Sequence, residues 1–278
     1  MPENYDLHCH STASDGVLSP TELVQRAHEH GVTSLALTDH DTVSGIIEAQ
    51  AAATATGLKL IPGIELSTSW QNKCFHIVGL GINPAYTPLA EATRNLQTMR
   101  RVRAEKIADK LEKKRIPGAL AVVQKAAGDG MITRTHFADF LMSQFHVTSQ
   151  QEAFDRYLGA GKPAFVPTTW ADLELAVNWI TGSGGVAVLA HPLRYKLTAS
   201  WMKRLLSTFK EAGGQGIEVV TGRYNGDEIK TAANYATLFK LAGSVGSDFH
   251  SPANPWLELG RLAPLPAHIK PVWELLSL

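Results

Sequence analysis

The sequence predicts an α/β chain whose strands, about seven, close into a TIM-like barrel bearing a small all-helical insertion. Three observations predict it. Seven short runs rich in Val, Ile and Leu recur without strict polar alternation, as suits strands buried on both faces. Longer helical patterns separate them, the rhythm of a parallel sheet. From about Pro88 to Gly161 that rhythm stops and no strand pattern is found. The chain has 278 residues and 44% apolar content, enough for one full barrel core.

The elements can be justified in order. "YDLHCHS" is the first strand. "SPTELVQRAHEHG" is a helix with Ser19 as N-cap, Pro20 at its first position and Gly31 as its stop. "SLALTDH" is the second strand, and the helix of "TVSGIIEAQAAATATG" ends at Gly57. "KLIPGIELS" and "FHIVGLGI" follow as strands. "LAEATRNLQTMRRVRAEKIADKLEKKR" is a long basic helix, either a solvated face or the edge of a substrate cleft. "GALAVVQKAAGDG", "TRTHFADFLMSQF" and "TSQQEAFDRYLGAG" are three shorter helices, and "GKPAFVP" marks the return. Strands "GVAVLAHP", "GIEVVT" and "GSVGSDFHS" then alternate with helices in "TWADLELAVNWITGSG", "TASWMKRLLSTFKEAGG" and "NGDEIKTAANYATLFKLAG". We expect residues 1–100 and 164–278 to form the barrel and 101–163 the insertion.

Lys+Arg and Asp+Glu both number 26, so no bulk electrostatic grip on duplex DNA is expected. The two cysteines, Cys9 and Cys74, form no metal or disulfide pattern, which suits a reducing cytoplasm. The opening residues read as no export signal, and the apolar runs are too short to span a bilayer. Neither a membrane nor an obligate protein partner is indicated.

Position gives the 11 histidines their meaning. Six of them (His8, His10, His40, His76, His191 and His250) fall at or near strand termini, with Asp39, Glu65 and Asp248 beside them. In a parallel barrel the C-terminal strand ends share one face, so these side chains should meet. Imidazoles with carboxylates suit divalent Mn, Zn or Fe. His8 and His10, two residues apart, lie on one side of a strand and can reach one ion; Asp248 and His250 repeat the spacing. Glu65 has two oxygens and can bridge two ions, and closely spaced ions favour in-line displacement at phosphorus. His28, His30, His146 and His268 fall on helices or turns and read as surface or packing residues.

"DLHCHSTASDG", "LALTDHDT", "GIELS", "HIVGLGI", "AHPLRY" and "GSDFHSP" resemble, in order, the motifs of the PHP (polymerase and histidinol phosphatase) family. The resemblance spans essentially the whole chain and implies a distorted (β/α)7 barrel that binds up to three divalent ions and hydrolyses phosphate esters. Carried over position by position, it implies that His8, His10, Glu65 and Asp248 hold one ion. Glu65, His76 and His191 would hold a second, and Asp15, His40 and His250 a third. Mn2+ is the expected metal, with Zn2+ or Fe2+ as alternatives. Asp39 either orients an imidazole or caps a turn.

The stand-alone members with such an insertion resemble nucleotide phosphatases that remove the 3′-phosphate of nucleoside 3′,5′-bisphosphates. Some also trim short 5′-phosphorylated RNA. A histidinol-phosphate phosphatase, with nearly the same metal site, is the alternative. Arg134 and His136 stand where a helix starts in "ITRTHFADFL", with Thr133 or Thr135 as N-cap, a suitable phosphate site. Arg194, three residues after His191, should stand at the rim; Lys162 and Arg223 are further basic candidates. The expected reaction is in-line attack by a metal-bridging hydroxide, with charge neutralised by the ions and an Arg, and His136 protonating the leaving oxygen.

Overall fold

Strands β1 (Tyr5–Cys9), β2 (Ser34–Leu37), β3 (Lys59–Trp70), β4 (Lys73–Leu80), β6 (Val186–Leu189), β7 (Gly216–Thr221) and β8 (Ala242–Gly246) form the barrel wall in that order; two-residue β5 (Ala171–Asp172) adds to β3. The structure is a computed structural model that describes residues 3–276. β8 returns beside β1 through a parallel bridge, Cys9 to Phe249, and through Asp248 N–H donating to His8 O at 2.8 Å. The barrel is thus nearly closed. Its interior is filled by small and branched side chains, among them Leu7, Ile61, Val78, Val188 and Ala242.

The sheet departs from the expected all-parallel arrangement at one strand. β4 runs antiparallel to both neighbours, β3 and β6. The reason is local. Only Gln71 and Asn72 separate β3 from β4, both at positive φ (50° and 59°), a two-residue hairpin turn matched to strand twist. A parallel crossover needs a dozen residues or more. The short gap "TSWQNKC" carried that signal, and β3 accordingly continues to Trp70 rather than ending at Ser67.

The helices start and stop where the caps direct. In α1 (Pro20–Glu29) the Ser19 side chain accepts from Glu22 N–H while the Glu22 side chain accepts from Ser19 N–H. Gly57 ends α2 (Ile46–Thr56) in the left-handed region at φ 75°. α7 (Leu173–Gly182), α8 (Ala199–Glu211, capped by Thr198) and α9 (Gly226–Phe239, capped by Asn225) cover the barrel's later strands.

α3 (Thr87–Glu112) runs unbroken from the barrel into the insertion. Its Leu89 and Leu96 pack with the barrel core; Ala104, Ile107 and Leu111 join a separate core with Phe137, Phe140 and Leu141. α4 (Ala119–Ala127), α5 (Arg134–Ser143), α6 (Gln150–Ala153) and a π-turn at Phe154–Leu158 complete that second core. Among the described residues no helix is long and apolar enough to cross a membrane.

Candidate active site

The nine sequence-selected acids and histidines converge on one barrel rim. His8 lies in β1, and His10 and Asp15 in the loop after it. His40 follows β2 and bridges to Glu65 of β3. Because β4 is antiparallel, His76 reaches the same rim from that strand's early half, opposite Ser67. His191 and Asp248 follow β6 and β8 at φ 30° and 57°, left-handed turns that end the strands. His and Asp are among the side chains that tolerate this region, and such backbone concentrates at functional sites.

The polar atoms close on one another at the spacing of a coordination shell. His8 Nε2 and His10 Nε2 are 3.1 Å apart; each lies 3.3–3.4 Å from Glu65 Oε2 and 3.4–3.6 Å from Asp248 Oδ1. Ligands about 2.1 Å from an ion stand about 3.0–3.4 Å apart in octahedral or tetrahedral shells. Glu65 Oε1 turns the other way, 2.9 Å from His76 Nδ1 and 3.0 Å from His191 Nε2. Asp15 Oδ1 faces His250 Nε2 at 3.4 Å and His40 Nε2 at 4.0 Å. His40 also reaches Glu65 Oε2 through Nδ1 at 2.8 Å, so it stands between two groups.

These residues fit a cation. Asp15 Oδ1, Glu65 Oε2 and His40 Nδ1 are buried without a hydrogen bond although polar atoms surround them. Burial would push Glu65, Asp15 and Asp248 upward in pKa. Neighbouring imidazoles, with Arg194 beside Asp248, outweigh it and hold all three well below the usual carboxylate range. The three carboxylates therefore stay ionised among the imidazoles.

Residues outside this set fix its orientation. Buried Glu218 of β7 accepts from His8 Nδ1 at 2.6 Å and from His191 N–H at 2.5 Å, leaving His8 Nε2 turned to the cluster. Of the two roles expected of Asp39, the cap is direct, and the carboxylate meets an imidazole only through Ser14. It accepts from Ser11 N–H, Ser11 Oγ and Ser14 Oγ at 2.6–2.8 Å, capping the loop, and Ser14 Oγ stands 3.4 Å from His10 Nδ1. Thr133 and Thr135, at the start of α5, both donate to Asp15 Oδ2 at 2.8 Å, tying the insertion to the rim. Gly246 has no room for a side chain, since a Cβ would come 2.4 Å from His8 Cβ.

A cleft of about 840 Å³ opens between cluster and insertion, lined by His40, His76, Arg103, Arg134, Phe154 and Trp170 among others. Arg134 stacks 5.4 Å from Phe154, and Arg103 5.3 Å from Trp170. Arg103 Nε is buried without a partner. Burial and the nearby Arg134 and Arg100 push its pKa down to about 9. By contrast Arg100 is neutralised: it pairs with buried Asp41 at 2.6 Å and donates to Ser67 Oγ at 3.0 Å.

The other substrate candidates are placed differently from one another. Arg194 is at the rim, its guanidinium paired with Asp248. Thr133, not Thr135, is the N-cap of α5, and His136 Nδ1 accepts from Thr133 N–H at 3.1 Å, so only Nε2 is left to donate. Lys162 and Arg223 are exposed and do not line the cleft. Sequence reasoning missed Glu218 and Arg103. A lone acid in apolar "GIEVVT" was the signal for the first; the second was one of many cations on a basic helix.

A barrel with an acid–imidazole cluster at one rim is the build of a metal-dependent hydrolase. Residues 6–222 match the PHP domain family. The chain is 47% identical over 274 residues to a 5′-3′ exoribonuclease of Haemophilus influenzae, with 99% of each chain covered. It is 42% identical over 272 residues to the 3′,5′-nucleoside bisphosphate phosphatase of Chromobacterium violaceum, covering 98% and 95%. A C. violaceum structure described as an amidohydrolase, with bound sulfate and no metal, matches with a TM-score of 0.93 at 42% identity over 98% and 95% of the chains. The chain belongs to the PHP family of metal-dependent phosphoesterases and is a hydrolase.

Proposed function

We propose that this chain removes the 3′-phosphate of nucleoside 3′,5′-bisphosphates and also trims short 5′-phosphorylated RNA from its 5′ end. The carrying observation is the two-sided cleft: an acid–imidazole cluster on one wall and, on the other, two guanidiniums that have no ion-pair partner among the described residues. A substrate with two phosphates matches it, one ester at the cluster and one phosphate between Arg134 and Arg103. The volume suits a nucleotide. Cytoplasmic nucleotides and short RNAs are the substrates that it fits.

Three divalent cations, of which Mn2+ is our assignment, would be held by His8, His10, Glu65 and Asp248; by Glu65, His76 and His191; and by Asp15, His40 and His250. Such ions supply Lewis-acid charge and make water nucleophilic at neutral pH. The chain supplies the rest. Glu218 and Asp39 (the latter through Ser14) keep the His8 and His10 Nε2 atoms turned to the cluster. Phe154 and Trp170 back the two arginines with aromatic faces that exclude water. If His136 hands a proton to the leaving oxygen, it does so from Nε2; unchanged turnover in His136→Ala removes it from the scheme.

The test is phosphate release from adenosine 3′,5′-bisphosphate by manganese-loaded protein, with His8→Asn as control and histidinol phosphate in parallel. His8-dependent formation of AMP is expected. Release from histidinol phosphate alone overturns the substrate assignment and keeps the metal site.

A further inference from the structure

Beside the cleft, on the other side of the β3–β4 hairpin tip, lies a second open groove of about 650 Å³. Trp70 and Gln71 line both, so the hairpin tip is a shared ridge. The groove's far wall is one face of α8. Ser200, Lys203, Arg204 and Ser207 stand three and four residues apart there, opposite the buried Met202, Leu205, Leu206 and Phe209. Lys203 and Arg204 are exposed, and among the described residues no carboxylate lines the groove. Arg204 lies 4.9 Å over the ring of Trp201, which itself packs edge-on against Trp70. Nothing in the reaction at the cluster uses these groups.

We propose that this groove holds the phosphodiester backbone of an RNA substrate downstream of its 5′ end. The inference rests on the phosphoesterase reading above and extends it to chain length. Three features support it. The first is continuity: the exposed Gln71, Asn72 and Lys73 of the hairpin line the cleft and lead from it to α8. The second is charge: the cleft is also lined by exposed Asp172 and Glu174, which repel a polyanion, whereas α8 offers two cations and hydroxyls. The third is distance. Trp70 lies five residues along β3 from Glu65, about 17 Å at 3.3 Å per strand residue. A mononucleotide seated at the cluster therefore ends inside the cleft, and only a longer chain crosses the ridge. A cationic groove with aromatic backing is how single strands are held without sequence preference.

The magnitude follows from counterion release, about 0.7 in log–log salt slope per phosphate contact on a single strand. Removing two contacts lowers the slope by about 1.4 and, at 0.1 M salt, weakens binding by about 25-fold. The test compares wild type with Lys203→Gln/Arg204→Gln and with Arg204→Lys. One readout is the ratio of kcat/KM for a 5′-phosphorylated pentanucleotide to that for adenosine 3′,5′-bisphosphate. The other is fluorescence anisotropy of the 3′-labelled pentanucleotide in EDTA, where no turnover occurs. The double variant should lower the ratio by about 25-fold and weaken anisotropic binding with the smaller salt slope; Arg204→Lys, which keeps the charge, should retain both. An unchanged ratio, or wild-type cleavage of the bisphosphate but not the pentanucleotide, overturns the groove and leaves the phosphatase. Cleavage of neither substrate overturns the phosphoesterase reading instead, and the anisotropy arm then decides the groove alone: equal binding by wild type and double variant, or none by wild type, refutes it.

Discussion

Glu218→Gln should weaken metal binding although Glu218 touches no proposed ion. The substitution preserves shape and changes one acceptor oxygen into an NH2 donor. Both carboxylate oxygens are in use, one by His8 Nδ1 at 2.6 Å and one by the His191 amide at 2.5 Å. The amide of His191 can only donate, so the glutamine must offer it oxygen and present its NH2 to His8. His8 then accepts at Nδ1, and its proton moves to Nε2, the nitrogen 3.1 Å from His10 Nε2 and 3.4 Å from Glu65. That nitrogen loses its lone pair for an ion. Losing such an outer partner costs about 10–100-fold in metal affinity, or about 1.4–2.7 kcal/mol. At a fixed excess of Mn2+ the stabilisation by metal shrinks by the same amount. For a chain of this size that is a fall of about 3–10 °C in the metal-induced rise in Tm. Calorimetric Mn2+ titration and paired melts, with Mn2+ and with EDTA, measure it. A folded variant whose Mn2+ affinity and metal-induced Tm rise equal those of wild type would refute the tautomer reasoning.

Two further outcomes follow from the same geometry. Arg100→Ala strands the Asp41 carboxylate, which is fully buried and keeps only the Ser67 amide as a strong donor; urea unfolding should show a loss of about 3–5 kcal/mol, and a loss below about 1 kcal/mol would mean that Asp41 is rehydrated at little cost. Glu258→Gln tests a pH window: burial opposes ionisation, but Arg26 and the Leu259 amide hold Glu258 below its ordinary value of 4.5. A depressed acid contributes stability above its unfolded pKa and loses it as pH falls through the folded one. The variant should be less stable than wild type near pH 7, by about 1 kcal/mol at most for this partly exposed pair, with the gap closing below about pH 4. A gap that widens in acid would contradict the assignment.

Several features were legible in the chain itself. Eight of the nine site residues could be picked out because each combines a chemistry-bearing side chain with a place at or near an expected strand end, both local properties, whereas Asp15, in the loop after β1, was implied only by the family resemblance. Helix starts at Ser19, Thr198 and Asn225 were equally local, since a cap needs only its own first turn. The reversal of β4 was present in the two-residue gap before Lys73 and was obscured by the regular strand–helix alternation around it. Tertiary structure alone decided the partners. Glu218 meets His8 across 210 residues, Thr133 meets Asp15 across 118, and Arg100 meets Asp41 across 59. Periodicity shows which side of a strand or helix a residue occupies but not which distant residue faces it. That pairing exists only once the barrel has closed and α3 has laid the insertion against its rim, because hydrogen-bond geometry is fixed to tenths of an ångström by the whole fold.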